Sequence, residues 1–374
     1  MGCIRSSPRL RKWGGSTPVI PPELFRSVYN SGVNRRKFLV LGGGSLLVSV
    51  ARLKADHHFI SADPLIVEFD LRSLEGEYTP VGDFYIRNHF NAPPPSAVTA
   101  LQIEGEVDNP KEFALNTLTA FSRQRQGAVL ECAGDRVGTS LLASNGLWEG
   151  WRLRDVLTAA HPRPGAGYVH LYGADGFARS VPLNRALASG LLVTNLNGRP
   201  LQKNHGAPWR ALFVGWYGMD SVKWLQRIVV AREPLPPNGV AYLELRKGPS
   251  GLLQEQPLPR MEVKSVIISL AEGSVLQAGP LEVRGLAWTG AGKVKAVEAS
   301  ADGGATWHPA ALQPTPAYEW APWRARFNLT QRGAVEFASR ATDQAGAIQP
   351  AKPEPGRLDG YAYNYIQQVR CVVL

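Results

Sequence analysis

One of the three cysteines lies where a thiol can serve as a ligand. Cys132 comes directly after the apolar run 128–130 and Glu131, and a glycine follows two residues later. The apolar run predicts a short buried strand that delivers Glu131 and Cys132 at its end. A free cysteine in such a place is either a buried apolar side chain or a soft thiolate ligand for a metal. The residues around Cys132 alone leave both interpretations open.

Several other segments contain side chains that suit the binding of an anion or a polar ring. They are residues 84–89, 174–177, 205–210, 215–225 and 360–364. Arginine forks, lysine ammonium groups and backbone N–H groups are the donors that bind phosphate. Taken singly, each candidate also has a structural explanation: a core histidine, an arginine in a surface ion pair, a lysine on the solvent face of a strand, or Asp175-Gly176 as a simple turn.

The order and spacing of these segments resemble the sulfite oxidase family of molybdenum enzymes, over about residues 80–374. The resemblance implies a molybdopterin cofactor (molybdenum bound to a pterin) with Cys132 as the metal ligand. It also implies that a set of side chains binds this cofactor: Tyr85, Arg87, Asn88, His89, Asp175, His205, Arg210, Ser221 and Lys223. Thiolate is a soft ligand, as molybdenum prefers. Cationic neighbours, Arg87, Arg136 and Lys223, are expected to lower the pKa of the Cys132 thiol.

The same resemblance implies the oxidation of sulfite to sulfate. In that reaction Arg87 and Arg136 hold the anion, and Tyr242 donates a hydrogen bond. The glycine-rich stretch 215–218 is expected to let the backbone approach the cofactor closely. No Cys-x-x-Cys-His run occurs in the sequence, so we expect no haem on this chain and a separate c-type cytochrome as electron acceptor.

Two positions depart from the family pattern near the expected anion pocket. Val137 lies where sulfite-oxidising members have arginine, and the arginine of this chain is its neighbour Arg136. Asp135 replaces the usual asparagine and is expected to add a negative charge near the anion. An alternative substrate is therefore an organic sulfoxide or another oxyanion. A third hypothesis, from a different class, is a non-catalytic binding protein built on an immunoglobulin-like module.

The periodicity of the chain predicts an α+β fold for the first domain. Alternating or apolar runs indicate strands, and two capped or amphipathic stretches indicate short helices. The strands are expected at 101–107, 128–130 and 168–173, and the helices at 116–121 and 153–157. Six prolines between 232 and 260 indicate a linker, so we assign the molybdopterin-binding domain to 56–255.

The remainder, 256–374, has a different pattern. Short alternating runs occur at 263–270, 281–288, 294–300 and 323–329. Glycine-containing turns at 302–304 and 343–346 lie between and after these runs. Several short strands at regular spacing predict an all-β immunoglobulin-like sandwich. The resemblance implies that this second domain forms a homodimer.

Composition and charge exclude several classes of protein. Three cysteines are too few for a disulfide scaffold or a zinc site of four thiolates. The net charge is +10, but ten of the 41 Lys and Arg residues and one of the 31 Asp and Glu residues lie within 1–55. The rest of the chain is therefore almost neutral, with 31 basic and 30 acidic residues. This balance argues against a nucleic-acid-binding surface on the folded part.

The basic segment 1–55 contains an export-signal pattern. Arg35 and Arg36 precede an apolar, glycine-rich run that ends near Ala51, which resembles a twin-arginine signal. The run is too short for a stable membrane anchor, which needs about 20 apolar residues. We therefore expect a leader at 1–55 and export of the folded protein to the periplasm. The alternative is a basic amphipathic helix at the N-terminus.

We predict that export requires the arginine pair itself and not only its charge. Replacing Arg35 and Arg36 together by lysine keeps both positive charges but removes the pair read by the twin-arginine route. The variant is expected to remain in the cytoplasm, as measured by fractionation and immunoblotting. Lys37→Gln, which lowers the charge and keeps the pair, serves as the control and is expected to export normally. Export of an active double-lysine variant would show that the leader has been misread.

Overall fold

Short stretches of alternating or continuous apolar residues make this protein mostly β-structure. The computed structural model describes residues 57–136, 142–236, 242–248, 250–353 and 360–374. The leader at 1–55 and Val137 lie outside the described residues. The chain from Leu53 to Leu374 forms one compact unit. Within the described ranges, no helix has both the length and the apolar character needed to cross a membrane.

The described residues from His57 to Pro236 contain thirteen strands and two short α-helices. The strands are β1 (His57–Ala62), β2 (Leu65–Phe69), β3 (Ile86–Arg87), β4 (Leu101–Gly105), β5 (Lys111–Phe113), β6 (Gln124–Glu131), β7 (Ala143–Arg152), β8 (Tyr168–Gly173), β9 (Ala178–Pro182), β10 (Gly190–Leu196), β11 (Arg199–Pro200), β12 (Arg210–Phe213) and β13 (Leu225–Ala231). The helices are α1 (Leu153–Thr158) and α2 (Leu183–Ser189). Single turns of 3-10 helix lie at Leu71–Ser73, Pro95–Ala97, Thr117–Ala120, Lys203–His205 and Gly218–Asp220.

Two five-stranded sheets form most of this part. One has the order β11-β10-β7-β6, with β12 also paired to β10, and the other has the order β5-β4-β13-β8-β9. The β4–β13 pair is parallel, whereas the neighbouring β13–β8 pair is antiparallel. Both sheets and α1 contribute to one apolar core, which includes the fully buried Leu101, Leu153, Leu192 and Leu225. A third sheet, β1-β2-β3, carries Arg87 on its edge strand.

The rest of the described chain contains strands alone. They are β14 (Leu243–Lys247), β15 (Leu253–Pro257), β16 (Lys264–Ile267), β17 (Ser274–Leu276), β18 (Gly279–Trp288), β19 (Val294–Ser300), β20 (His308–Pro309), β21 (Ala311–Leu312), β22 (Ala321–Leu329), β23 (Gly333–Asp343) and β24 (Gln368–Val373). β14 and β15 form a separate hairpin. The others form two sheets, β16-β18-β22-β21 and β17-β24-β23-β19-β20. These two sheets share one core, to which Val283 and Trp323 contribute from one side and Phe337 and Val369 from the other.

The structure confirms most of the predicted elements and corrects two. Predicted strands at 101–107 and 168–173 correspond to β4 and β8, and the buried strand before Cys132 is the last part of β6. The helix expected at 116–121 is only a 3-10 turn, in which Asn116 makes no side-chain capping bond. The proline-rich stretch between 232 and 260 was expected to be a linker but contains the β14–β15 hairpin. Among the described prolines, Pro234 and Pro236 precede β14, Pro257 ends β15 and Pro259 follows it, where no N–H is required.

The α+β prediction overstates the helical content. Within the described residues, α1 has six residues and α2 has seven, and all other regular elements are strands or single 3-10 turns. The turns at 302–304 and 343–346 are confirmed: Gly303, Gly304 and Gly346 have positive φ angles, which glycine adopts without strain.

Candidate functional site

Cys132 occupies the tight turn that follows β6. Its N–H donates to the carbonyl of Leu142 (2.9 Å), and its own carbonyl accepts from the N–H of Asp135 (2.9 Å). The Gly134 N–H points to the Cys132 Sγ at 3.4 Å. These bonds fix the turn, so the half-buried thiol is held at one wall of a cavity.

The cavity brings together side chains from distant segments. The residues predicted from the sequence that line it are Tyr85, Arg87, His89, Cys132, Asp175, His205, Arg210, Ser221, Lys223 and Tyr242. Asn88 is buried directly behind this wall and accepts a hydrogen bond from the Lys223 ammonium group. Apolar side chains complete the lining, among them Phe84, Leu130 and Phe177.

Three cations face this cavity: Arg87, Arg210 and Lys223. Within the part of the chain that the structure describes, no carboxylate lies within ion-pairing distance of any of them. Arg210 instead donates to the carbonyls of Ser221 (2.6 Å) and His205 (3.3 Å). Its burial lowers the pKa of Arg210 to about 10. Three cations that form no ion pair among the described residues, against the single carboxylate of Asp175 in the same lining, make this cavity suited to an anion.

Lys223 is held by neutral oxygens rather than by a carboxylate. Its Nζ donates to the Asn204 carbonyl (2.9 Å) and to the side-chain oxygen of Asn88. Burial and the neighbouring Arg210 lower the pKa of Lys223 well below its ordinary value. The Nδ2 of Asn88 has no hydrogen-bond partner among the described residues although the residue is buried. A buried donor without a partner is rare in proteins and is expected to bind a ligand or water.

The two predicted histidines differ in their surroundings. His205 is buried in the 3-10 turn before β12, and its ring packs against the edge of Phe84. Burial, followed by the charges of Lys223 and Arg210, lowers the pKa of His205 to about 3. His89 is half-buried and packs against Phe177, and its pKa is lowered by burial and by Arg87. Both rings are therefore biased toward the neutral form.

Two tyrosines, Tyr85 and Tyr242, line the cavity. Tyr85 is buried, and burial raises the pKa of its hydroxyl well above the ordinary value. Tyr242 lies 3.5 Å from the Nδ1 of His89 and stacks near Tyr361. Burial and the nearby Cys132 raise the pKa of Tyr242 to about 12. Both hydroxyls are thus protonated donors at neutral pH.

Asp175 lies in the turn between β8 and β9, and its Oδ1 accepts from the Phe177 N–H (3.1 Å). Burial raises the pKa of this carboxyl group, while the Phe177 N–H and Lys223 act in the opposite direction. The other carboxylates near the site belong to a different environment, behind the cysteine turn.

The expected lowering of the thiol pKa is wrong for the protein without its cofactor. Burial raises the pKa of Cys132 to about 11, and this effect exceeds the lowering by the Gly134 N–H and by Arg87. Desolvation disfavours the thiolate more strongly than the nearby cations favour it. A metal that takes this ligand must therefore displace a proton.

The two expected features of the anion pocket after Cys132 also differ from the prediction. Arg136 is exposed and does not line the cavity. Its charge acts instead on Glu68: burial raises the pKa of this carboxyl group, and Arg136 acts in the opposite direction. Asp135 does not add free negative charge to the cavity, because its Oδ2 lies 3.1 Å from the buried Lys264. Its Oδ1 accepts the N–H of Leu142 (3.0 Å). Val137 lies outside the described residues.

The sequence analysis missed Lys264, which lies behind the cysteine turn and is 2% exposed. A lysine among the apolar residues of 263–267 indicates that its ammonium group pairs with a buried carboxylate, but the run does not identify which one.

The glycines at 215–218 also have a role in packing. A side chain at Gly215 would come within 2.6 Å of the Gly290 carbonyl, and one at Gly218 within 3.1 Å of the Tyr85 hydroxyl. These glycines allow close packing within the protein itself.

Comparison with known proteins assigns both halves of the chain to families. Residues 90–238 match the oxidoreductase molybdopterin-binding domain, and residues 255–364 match the Mo-co oxidoreductase dimerisation domain. The mitochondrial sulfite oxidase of Drosophila melanogaster is 30% identical over 342 residues, which cover 79% of this chain and 60% of that protein. The nitrate reductase [NAD(P)H] of Hordeum vulgare is 30% identical over 363 residues, covering 81% of this chain and 40% of that protein.

The sulfane dehydrogenase SoxCD from Paracoccus pantotrophus has a similar structure. The TM-score is 0.76 at 26% sequence identity, and the match covers 88% of this chain and 92% of that one. The chain therefore spans nearly all of this bacterial protein but only about 60% of the length of the fly enzyme.

The low pKa of His205 predicts a loss of stability in acid. The unfolded imidazole takes up a proton near pH 6.5, while the folded one resists until about pH 3. Each pH unit between these values therefore costs about 1.4 kcal/mol of folding free energy. Between about pH 7.5 and 5, the cofactor-free parent is expected to lose about 2 kcal/mol more than His205→Gln, as measured by urea unfolding. Equal losses in the two proteins would contradict a neutral buried His205.

Proposed function

Because this chain belongs to the sulfite oxidase family of molybdopterin-dependent oxidoreductases, we propose that it oxidises sulfite to sulfate with a bound molybdenum cofactor. The overall change converts sulfite and water into sulfate, two protons and two electrons. The electrons pass to a separate c-type cytochrome. The observation that carries this proposal is the thiol of Cys132 at the wall of a cavity whose three cations form no ion pair with a carboxylate of the described residues.

The residues of the cavity fit a molybdopterin. The pterin phosphate requires cationic and forked donors, and Arg210 and Lys223 supply them with support from the buried Ser221. The unpaired Nδ2 of Asn88 is a donor that lacks an acceptor within the described protein. Cys132 would supply the soft ligand for the metal.

The polar ring of the cofactor needs partners of both kinds. Asp175 offers a carboxylate with one oxygen engaged by a backbone N–H, and neutral His205, which donates one ring N–H to the Val81 backbone, offers its other nitrogen as an acceptor. His89 and Tyr85 complete the polar part of the wall.

When bound, the molybdenum centre supplies the redox couple that accepts two electrons from the substrate sulfur. The protein's own side chains act on the substrate. Arg87 faces the cavity and lies close enough to Cys132 and His89 to act on the pKa of each in the lowering direction. We therefore assign Arg87 the role of binding the sulfite anion. Tyr242 remains protonated and donates a hydrogen bond to a substrate oxygen. The apolar lining from Phe177 and Leu130 excludes water and strengthens these charge interactions.

A second candidate keeps the molybdenum cofactor and changes the substrate to a sulfoxide or another oxyanion. The observation in its favour is that Arg136 is exposed and does not line the cavity, so Arg87 is the one predicted substrate arginine found there among the described residues. A nitrate reductase and a sulfane dehydrogenase among the similar proteins show that related chains act on other substrates. Steady-state assays of one preparation with sulfite, nitrate and a sulfoxide separate the two candidates.

Several features of the whole protein belong to the same proposal. We assign 56–255 to the cofactor-binding domain and 256–374 to an immunoglobulin-like domain that forms a homodimer; the family matches at 90–238 and 255–364 support this division. We retain the leader at 1–55, the export to the periplasm and the absence of haem on this chain as predictions. Arg136 remains a candidate substrate residue that would have to turn inward.

Molybdenum content and sulfite-dependent reduction of cytochrome c test the proposal directly. The purified protein is expected to contain one molybdenum per chain and to reduce cytochrome c only when sulfite is present. A folded protein with no molybdenum would refute the cofactor. Full molybdenum content with activity on another substrate alone would favour the second candidate.

The change Cys132→Ser is expected to preserve the fold and abolish turnover. Among the described residues, the Cys132 side chain makes no hydrogen bond except the long contact from the Gly134 N–H, so a hydroxyl of similar size is tolerated by the turn. A hydroxyl is a harder and much weaker acid than a thiol, so it cannot replace the soft ligand. Thermal unfolding and activity of the variant provide the measurements. Near-normal turnover in the folded variant would remove Cys132 as the ligand.

The change Arg87→Gln is expected to lower kcat/KM for sulfite by about one to two orders of magnitude. A charge-assisted hydrogen bond contributes about 1.5–3 kcal/mol, and each 1.4 kcal/mol corresponds to about tenfold. Arg136→Gln is the matched control, because it removes the same charge from outside the cavity. It is expected to change kcat/KM by less than about twofold. A larger loss of kcat/KM in Arg136→Gln than in Arg87→Gln would assign sulfite binding to Arg136 instead of Arg87.

A further inference from the structure

A buried ionic cluster joins the second domain to the turn that carries Cys132. Lys264 of β16 is 2% exposed, and its Nζ lies 2.6 Å from the Glu131 Oε1 and 3.1 Å from the Asp135 Oδ2. Both carboxylates are equally buried, at 1% and 2% exposed. A single cation from one domain therefore binds two carboxylates of the other, and these carboxylates flank Cys132 on either side along the chain.

Both carboxylates of the cluster are also fixed at their second oxygen. The indole N–H of Trp288 donates to the Glu131 Oε2 (2.8 Å), and the Leu142 N–H donates to the Asp135 Oδ1 (3.0 Å). Each carboxylate is thus held from two directions, which defines its position far better than a single ion pair does. Trp288 itself is fully buried in β18.

The second domain contacts the same turn at a third point. The N–H of Ala362 donates to the carbonyl of Ala133 at 2.6 Å, directly after Cys132. The turn is therefore bonded to the second domain through Glu131, Ala133 and Asp135 in succession. Glu131 ends β6, where successive side chains point to opposite faces, so its carboxylate lies on the other side of the strand from Leu130, which lines the cavity. Glu131 and Asp135 are absent from the cavity lining, whereas Cys132 is part of it.

We propose that Lys264 is a positioning residue that holds the Cys132 thiol in the geometry required for metal binding. This inference rests on the proposed function, because the cluster has a positioning role only if Cys132 is the metal ligand. Removing the lysine leaves two buried carboxylates that repel each other without a counter-charge. The flanks of Cys132 then separate, and the turn loses its fixed form while Arg87, Arg210 and Lys223 remain in place.

Hydrogen exchange of the cofactor-free full chain tests the inference without relying on turnover. In Lys264→Met, the amides of the peptide 130–136 are expected to exchange at least about tenfold faster than in the parent, whereas those of β8 keep the parent rate. Ser265→Ala is the matched control: it removes the buried Ser265–Ser339 hydrogen bond (2.9 Å) from the same strand and is expected to leave peptide 130–136 unchanged. Unchanged exchange of this peptide in Lys264→Met would overturn the proposal, and so would equal acceleration throughout the chain.

The loaded enzyme gives a second, independent readout. Lys264→Met is expected to contain less than half the molybdenum of the parent, and its remaining activity is expected to show a lower kcat with a KM for sulfite within about twofold, because Arg87 is intact. Lys264→Arg, which keeps the charge, is expected to recover molybdenum content. A raised KM at full molybdenum content would overturn the positioning role.

Trp288→Phe keeps the inference testable if Lys264→Met does not fold. It removes one donor to Glu131 and retains the ion pairs, so a smaller, local acceleration of exchange in 130–136 is expected. No acceleration would count against the cluster. If the parent itself binds no molybdenum, the proposed function fails, while the exchange measurement still reports whether Lys264 fixes the turn.

Discussion

The structure depends on keeping three cations, which form no ion pair among the described residues, beside a half-buried thiol. Arg87, Arg210 and Lys223 face one cavity, and no carboxylate of the described residues pairs with them. Such an arrangement is unfavourable alone, as the lowered pKa values of Arg210 and Lys223 indicate. An anion that enters the cavity favours the protonated, charged forms of Arg210 and Lys223, and its binding therefore stabilises the folded chain. The backbone carbonyls of His205, Ser221 and Asn204 keep the cations directed inward until then.

The negative charges of the site are placed on the other side of the cysteine turn. Glu131 and Asp135 point into the contact with the second domain, where Lys264 and the indole of Trp288 bind them. The cavity thus keeps its positive potential although two carboxylates lie within three residues of Cys132 along the chain. The alternation of side chains at the end of β6 directs Glu131 away from the cavity, and the turn that follows brings Asp135 to the same cation.

The sequence permitted prediction of the local elements and of most cavity residues, but not of the partners that join distant segments. β8 coincides with the predicted strand because its apolar run is bounded by Gly167 and Gly173. The cavity residues were accessible because family motifs name residue types at fixed spacing. Lys264 has no such motif, and its carboxylate partners lie more than 120 residues away. The pairing of Asp220 with Arg179 and Arg185 escaped for the same reason. Proline content could not reveal the β14–β15 hairpin, because the described prolines lie before β14 or at and after the end of β15.

The buried position of Asp135 changes how the departures from the family pattern bear on the substrate. An aspartate in place of asparagine would weaken the binding of an anion if it faced the cavity. Here its charge is compensated by Lys264 and by the Leu142 N–H, so the replacement is explained by the contact with the second domain. The choice of substrate then depends on the groups that do face the cavity, Arg87 and Tyr242, and on whether Arg136 turns inward. A domain matched as a dimerisation domain therefore also determines the shape of the site, because it supplies the cation that keeps Asp135 away from the substrate.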